Sequence, residues 1–443
     1  MRPALLRTLP LFALTAAASG QMDLTKALVP RELNPPVAQP ELARLTAGNR
    51  ALALDLYGRL REQPGNLFVS PHSLSIALAM TYAGAAGETA EQMGKVLHFA
   101  ELGEHVHPAF NALDQRLTPP PQGPPKEPEP RDRPPRKRAT RGEPPDRGDA
   151  PEPAPLRLHV VNQLWGQQGV PFRPEFLTLL ARHYGAGMRL LDFGQAAAAA
   201  AAINDWIAKE TEQRIKDLVS AEALGRDTAL VLTNAIYFKG SWERQFEQAK
   251  TEPGPFTLLD GKQISVPMMR QTETFRFMRS GNLAAIELPY AGGDFAMVLL
   301  VPDRGAFADF ERSLNASRLD DIAKRLSATQ VRLTMPRFTC RAKFSLADAL
   351  GALGMPAAFD RQHANFSGMS EKPLFIDAVL HEAFVLVDET GTEAAAATAV
   401  QMGLTSIVPR EPEQLAIDRP FIFLIRHVQT GAVLFLGRVV DPR

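Results

Sequence analysis

Residues 389–406, ETGTEAAAATAVQMGLTS, do not suit the place they occupy. Upstream, FVLVDE (384–389) is β-branched and apolar, and downstream FIFLIR (421–426) and AVLFLGRVV (432–440) read as strand. Alanine is the best helix former and is depleted from strands. Yet four consecutive alanines, Ala394, Ala395, Ala396 and Ala397, lie between Thr392 and Thr398, behind Glu389, Gly391 and Glu393. The composition of this run is what the rest of the chain has to explain.

The chain has 443 residues, 45% of them hydrophobic, enough for one large core or two ordinary ones. A formal net charge of zero argues against an all-over nucleic-acid binder. A single cysteine, Cys340, allows no intramolecular disulfide, so the fold must hold on its core alone. Residues 1–20 carry Arg2 and Arg7, then an apolar run over 9–18, then small residues suited to cleavage after Ala18 or Gly20. That is the pattern of an export signal, so a secreted or periplasmic protein is expected. Richness in alanine and arginine points to a bacterial source. No other run approaches the ~18 apolar residues that span a bilayer, and no membrane contact is expected.

Residues 21–45 contain Pro30, Pro35, Pro36 and Pro40 and read as a linker to a main domain over 46–443. There NRALALDLYGRLRE places Leu52, Leu56, Tyr57 and Leu60 on one helical face. SPHSLSIALAM offers Ser70 as an N-cap and Pro71 at the first helical position. Residues 118–155 hold 14 prolines and almost no apolar side chains, so they cannot bury enough surface to fold and read as a disordered insertion. Its basic centre, with Arg131, Arg133, Arg136, Lys137 and Arg138, could attract a polyanion. Its flanks are acidic, however, and a solvated linker is the simpler reading. Beyond it, LRLHVVNQLWG alternates as a strand, and seven alanines (196–202) lead into INDWIAKETEQRIKDLV, read as one long amphipathic helix. Apolar strands over 229–238, 295–303, 331–340 and 374–389 follow, with short helices between them and no regular βαβ beat. The class this predicts is α+β with a large mixed sheet.

No motif nominates a catalyst. G-x-S-x-G, Walker A and G-x-G-x-x-G are all absent from the sequence. HEAFV at His381 begins like a zinc-protease motif but has valine at position 385. His98, His105 and His107 are close together without a cysteine or carboxylate to complete a ligand set, and read as surface residues. Cys340 reads as a buried structural thiol. Neither an enzyme, a metal nor a cofactor is implied.

From residue 46 to 442 the sequence resembles the serpins. NLFVSPHSLSIALAMTYAGAAGETAEQM is similar to their N-terminal block, LTNAIYFKGSWERQF to their central strand, LAIDRPFIFLI to their C-terminal signature, and HEAFVLVDETGTEAAAATAV to the strand and hinge before their reactive loop. The resemblance implies a large mixed central β-sheet with two smaller sheets, eight to nine helices and an exposed reactive loop. It also implies a mechanism: a protease cleaves the loop, is held as an acyl-enzyme, and is carried away as the freed arm enters the central sheet as a new strand. Loop insertion of this kind is itself a recognised case of strand addition and of strain released by cleavage.

Under that resemblance the alanine run acquires a reason. On insertion, Thr392, Ala394, Ala396, Thr398 and Val400 would face one way and Glu393, Ala395, Ala397 and Ala399 the other. The first set is expected to slip between packed strands and under helices, where small side chains lower the barrier; Gly391 supplies the pivot. By the same resemblance, Ser70, Ser73, Asn234 and His381 form a hydrogen-bonded shutter, Trp242 marks the breach where the loop enters, and Arg337 pairs with Glu389 above it. Family spacing puts the scissile bond between Thr405 and Ser406, with Leu404 the rival primary determinant. None of these is basic, so the implied partner is an elastase-, subtilisin- or chymotrypsin-like serine protease, held covalently by a monomeric inhibitor. A non-inhibitory serpin, serving as carrier, chaperone or store, is the alternative; such relatives typically carry bulky or charged hinges.

Overall fold

The computed structural model describes residues 22–118, 157–225, 227–392 and 411–443. The export signal, the insertion with Arg131, Arg133, Arg136, Lys137 and Arg138, the hinge positions from Glu393 to Thr398, and Leu404, Thr405 and Ser406 lie outside the described residues.

In chain order the helices are α1 (Gln39–Leu60), α2 (Pro71–Tyr82), α3 (Gly87–Val96), α4 (Val106–Leu117), α5 (Pro174–Tyr184), α6 (Ala196–Glu210), α7 (Phe307–Arg312), α8 (Ala316–Arg325) and α9 (Ala347–Leu353). The first eight strands are β1 (Asp23–Thr25), β2 (Leu67–Val69), β3 (Arg157–Gln167), β4 (Met188–Leu191), β5 (Leu230–Ser241), β6 (Glu252–Thr257), β7 (Gln263–Ser280) and β8 (Leu283–Pro289). The rest are β9 (Phe295–Pro302), β10 (Ser327–Pro336), β11 (Phe338–Ser345), β12 (Ile376–Val387), β13 (Gly391–Thr392), β14 (Glu413–Ala416), β15 (Phe421–His427) and β16 (Val433–Val439).

Among the described residues the central sheet has seven strands in the order β1-β4-β3-β5-β13-β12-β11. A second array has nine, β14-β10-β7-β8-β9-β15-β16-β2, with β6 against β7. The 18-residue β7 reaches across both parts of that array, so the two smaller sheets run into one another. Strands β9 and β16 are buried along their whole length, which is why they read as unbroken apolar runs rather than alternating ones. Helix α2 lies between the layers and is buried at every position but Tyr82. Its start is fixed by Pro71 and by Ser70, whose Oγ accepts from Ser73 N–H at 3.3 Å. The main apolar core fills the space between the sheets, while a smaller one packs Ala199, Ala200, Ile203 and Ile207 of α6 onto the opposite face of the central sheet at Val161, Val231 and Ala235.

Two expectations need correction. The stretch 21–45 is not a plain linker: β1 pairs with β4 at the sheet edge and α1 begins at Gln39. Between them, Arg31 Nε donates to Asn111 Oδ1 at 2.8 Å and Glu32 O accepts from Asn111 and Gln115 of α4 at 2.8 and 2.9 Å. These prolines therefore hold an extended strap, and Pro40 sits in the first turn of α1, where its missing N–H has no helical partner to lose. Helix α6 is also shorter than its pattern suggests, ending at Glu210. Glu212 and Gln213 turn left-handed (φ 49° and 64°), and Thr211 Oγ1 bonds to Ile207 O and Ile215 N–H in place of a further helical turn.

Candidate functional site: an opening in the central sheet

β5 and β12 run parallel in continuous register from Val231 and Ala378 up to Tyr237 and Phe384, above an irregularity at Asp377. Above that point they part, and β13 lies between them, antiparallel to both, with Thr392 opposite Gly240 on one side and Val387 on the other. The chain reverses through a tight turn held by Asp388, whose Oδ1 accepts from Thr390 N–H at 2.8 Å, Thr390 Oγ1 at 2.7 Å and Gly391 N–H at 3.2 Å. Gly391 has φ 150°, and a Cβ there would fall 2.1 Å from Gly240 O and 2.7 Å from Ser241 Cα. Only glycine fits that approach. Thr392, expected to become buried on insertion, is already 0% exposed. Its hydroxyl meets the Tyr290 hydroxyl at 2.8 Å.

Trp242 roofs this pocket. Its indole stacks on Tyr290 at 4.6 Å, its Nε1 donates to Asp388 O at 3.0 Å, and its backbone N–H donates to Thr390 O at 3.0 Å. Glu389 is buried beside it. Arg337 Nε lies 2.7 Å from both Glu389 oxygens, and Thr251 Oγ1 donates to the same carboxylate. Burial pushes the Glu389 carboxyl up, but the hydrogen bonds from Arg337 and Thr251 and the nearby positive charge outweigh it and hold it below the usual range.

Lower down, under the parallel pair, Ser70, Ser73, Asn234 and His381 come together. Asn234 Oδ1 bonds with His381 Nδ1, and Asn234 Nδ2 donates to Ser73 Oγ at 2.5 Å. His381 Nε2 accepts from Ser70 N–H at 3.1 Å, while Ser70 Oγ donates to Leu434 O at 2.7 Å. The acceptor role of Nε2 assigns the proton of the neutral ring to Nδ1, which donates to Asn234. Complete burial lowers the imidazole pKa to about 3, so it stays neutral. Ser70 thus caps α2 and joins this buried hydrogen-bonded cluster at once.

The strands that form this opening and the cluster below it fall within residues 47–442, which match one family model, Serpin (serine protease inhibitor). The chain is a serpin. An uncharacterized serpin-like protein of Thermococcus kodakarensis is 36% identical over 89% of this chain and 84% of its own length. Leukocyte elastase inhibitor A of Rattus norvegicus is 36% identical over 90% of this serpin and 100% of its own length. Native tengpin, a thermophilic serpin, superposes with a TM-score of 0.78 at 24% identity, covering 94% and 99% of the two chains, a likeness of fold. Membership makes protease inhibition, not catalysis, the general activity of this serpin.

Sequence reasoning missed four partners in the site. Asn162 of β3 accepts from Ser73 Oγ at 3.0 Å, donates to Ser73 O at 3.0 Å and also bonds Asn234. Its signal was available, as an amide in the middle of an alternating apolar strand. Tyr290, Thr251 and Asp388 gave no such signal, because their roles depend on neighbours up to 146 positions away. Cys340 is buried, its thiol pushed up to about 12 by burial alone. His107, read as a surface residue, is half-buried and bonds the Tyr184 hydroxyl at 2.8 Å.

Proposed function

We propose that this serpin traps a serine protease as a suicide substrate, its severed hinge entering the central sheet between β5 and β12. The observation that carries the reading is the position of Gly391 and Thr392 at the head of that parallel pair, already in antiparallel register with both strands. Continued in the same register, Thr398 would arrive beside Asn234 and His381, and the alanines would pass alongside β5 residues 235–238. Insertion would then replace the Asn234–His381 bond with contacts to a new strand. The even-numbered residues would face the core between the sheets, as Thr392 does, and the odd-numbered ones would pass beneath α6. Each new ladder bond contributes roughly 0.5–1.5 kcal/mol. An arm bonded on both sides would therefore gain on the order of 10 kcal/mol, enough to offset alanine's weak strand propensity.

The residues around the scissile bond favour a protease with an apolar or small primary pocket over a trypsin-like one, whose buried carboxylate would find no basic side chain. The protein mixed with elastase, subtilisin, chymotrypsin and trypsin is expected to form a detergent-stable complex with one of the first three. The released peptide should begin at Ser406, or at Thr405 if Leu404 is the determinant. Cleavage with no complex and no rise in melting temperature would sink the inhibitory reading and leave a carrier or storage role. Contact of Arg131, Arg133, Arg136, Lys137 and Arg138 with a polyanion is tested by deleting 118–155: unchanged salt-sensitive heparin binding would reduce the insertion to a linker. Export is tested by the N-terminus of the mature protein, expected at Ser19 or Gln21.

A further inference from the structure

Between the last two turns of α1 and the C-terminal ends of α7 and α9 lies a cleft of about 400 Å³, a volume within the range of small-molecule sites. None of its lining residues belongs to the opening between β5 and β12 or to the cluster below it. Leu54, Leu314 and Leu353 flank the cleft, each packed against the main core and each partly exposed. Gly58 lines it as well. The backbone there is ordinary α-helix, and an added Cβ would meet nothing within 4 Å. Neither a turn nor a close approach calls for glycine at this position, and within a helix glycine is less favourable than alanine. What the missing side chain does is leave the cleft open.

The charges around it are unevenly matched. Glu311 is buried, neutralised by Arg438 at 2.9 Å, and accepts from the Tyr57 hydroxyl at 2.7 Å. Asp55 faces His98 at 3.1 Å, and Arg312 is paired with Asp309. Arg59 and Arg61 have no acidic partner among the described residues. Arg59 Nη2 donates to Ala352 O at 3.1 Å and Arg61 Nη1 to Glu311 O at 2.9 Å. These bonds tie α1 to α9 and α7 and hold both guanidinium groups at the cleft, with their other N–H donors unspent. Against them stands the carboxylate of Glu62, exposed and also without a partner among the described residues. Positive charge is left over.

We propose that this cleft binds a small amphipathic carboxylate, its acid group held by Arg59 and Arg61 and its apolar body laid beside Gly58 against Leu54, Leu314 and Leu353. The planar guanidinium fork matches a carboxylate and bonds it through parallel N–H donors. An apolar body takes the surface of the three leucines out of water. A neutral apolar molecule would gain those contacts and leave the arginine donors unused. A cation would meet two unpaired like charges. The acid is therefore what separates the ligand from its neutral and cationic counterparts.

The full chain is titrated with decanoate, decanol and decylamine, each below its aggregation limit, by calorimetry and by the shift in melting temperature. Decanoate is expected to occupy one saturable site and to raise the melting temperature. Decanol and decylamine should bind at least about tenfold more weakly. Gly58→Phe fills the cleft and should abolish the decanoate shift, whereas Gly58→Ala, whose Cβ reaches only open space, should keep it. Arg59→Gln and Arg61→Gln should each weaken decanoate about tenfold and change decanol little. Arg44→Gln, exposed on the same helix but outside the cleft, should leave decanoate binding as in wild type. The proposal is overturned by a decanoate titration with no saturable site, by equal affinity for decanol or decylamine, or by wild-type binding in Gly58→Phe. Should Gly58→Phe fail to fold, Arg59→Gln decides, and unchanged decanoate affinity there overturns the proposal. Protease trapping is not among the readouts, so the outcome is independent of the inhibitory reading.

Discussion

The hydroxyls of Thr392 and Tyr290 meet at 2.8 Å, and neither side chain reaches solvent. Burial pushes the Tyr290 phenol well above its ordinary range, so it stays neutral and serves only as a hydrogen-bonding partner. The Trp242 indole stacks on the Tyr290 ring at 4.6 Å. Thr392→Arg cannot enter without burying an unpaired charge. That variant is expected to remain cleavable but to lose detergent-stable complex formation, behaving as a substrate. Thr392→Val should keep it, losing only one hydrogen bond of about 1 kcal/mol. Persistence of the complex in Thr392→Arg would count against hinge entry at this point.

Gly391→Ala tests the docking of the hinge in the intact molecule. The added Cβ would strike backbone atoms of Gly240 and Ser241, which cannot swing aside as a flexible side chain would. The hinge is expected to leave the sheet, so amides 240–242 should exchange faster with deuterium and loop proteases should cut the intact protein sooner. Unchanged exchange at Trp242 N–H, now bonded to Thr390 O, would contradict it.

What the sequence made legible was whatever depends on neighbours in the chain. The capping of α2 by Ser70 and Pro71, the alternation of β3, and the odd composition of 389–406 are all local. The shutter members and the Arg337–Glu389 pair were reached only through likeness to a family, and the geometry then brought both groups together. The strap over 26–34 was misread because proline-rich, aperiodic sequence looks like linker until Asn111, Gln115 and the Arg182 carbonyl are seen to hold it. The end of α6 was misread because KETEQRIK keeps helical spacing, while Thr211 competes for its own backbone.

The Glu389 carboxylate gives the breach a pH dependence of known sign. Its pKa in the folded protein lies below the ordinary 4.5, so its contribution is present above about pH 4.5 and is lost as pH falls through the folded value. Glu389→Gln is expected to lower stability at pH 7 by about 1–2 kcal/mol, a modest figure because Arg337 is partly exposed to solvent. The gap in melting temperature between wild type and Glu389→Gln should narrow as the pH is taken below 4. A gap that is constant from pH 7 to 3.5 would show that the ionised pair does not hold the turn.

The buried histidines act over a higher pH window. His381 falls to about 3 and His72 to about 4, both through burial, against an ordinary value of 6.5. The unfolded chain therefore binds their protons first, and stability should fall as pH drops from about 6.5, by up to about 1.4 kcal/mol per pH unit for each ring. The two rings differ in their surroundings. Both nitrogens of His72 lack a partner among the described residues, whereas those of His381 bond Ser70 N–H and Asn234. His72→Leu is thus expected to hold or raise stability at pH 7 and to flatten the loss between pH 6.5 and 4.5. His381→Leu should also flatten the slope, but at pH 7 it leaves Ser70 N–H and Asn234 Oδ1 unsatisfied and should cost about 2–4 kcal/mol. Urea midpoints at pH 7, 6 and 5 separate these outcomes. Slopes equal to wild type in both variants would mean that neither ring is held neutral.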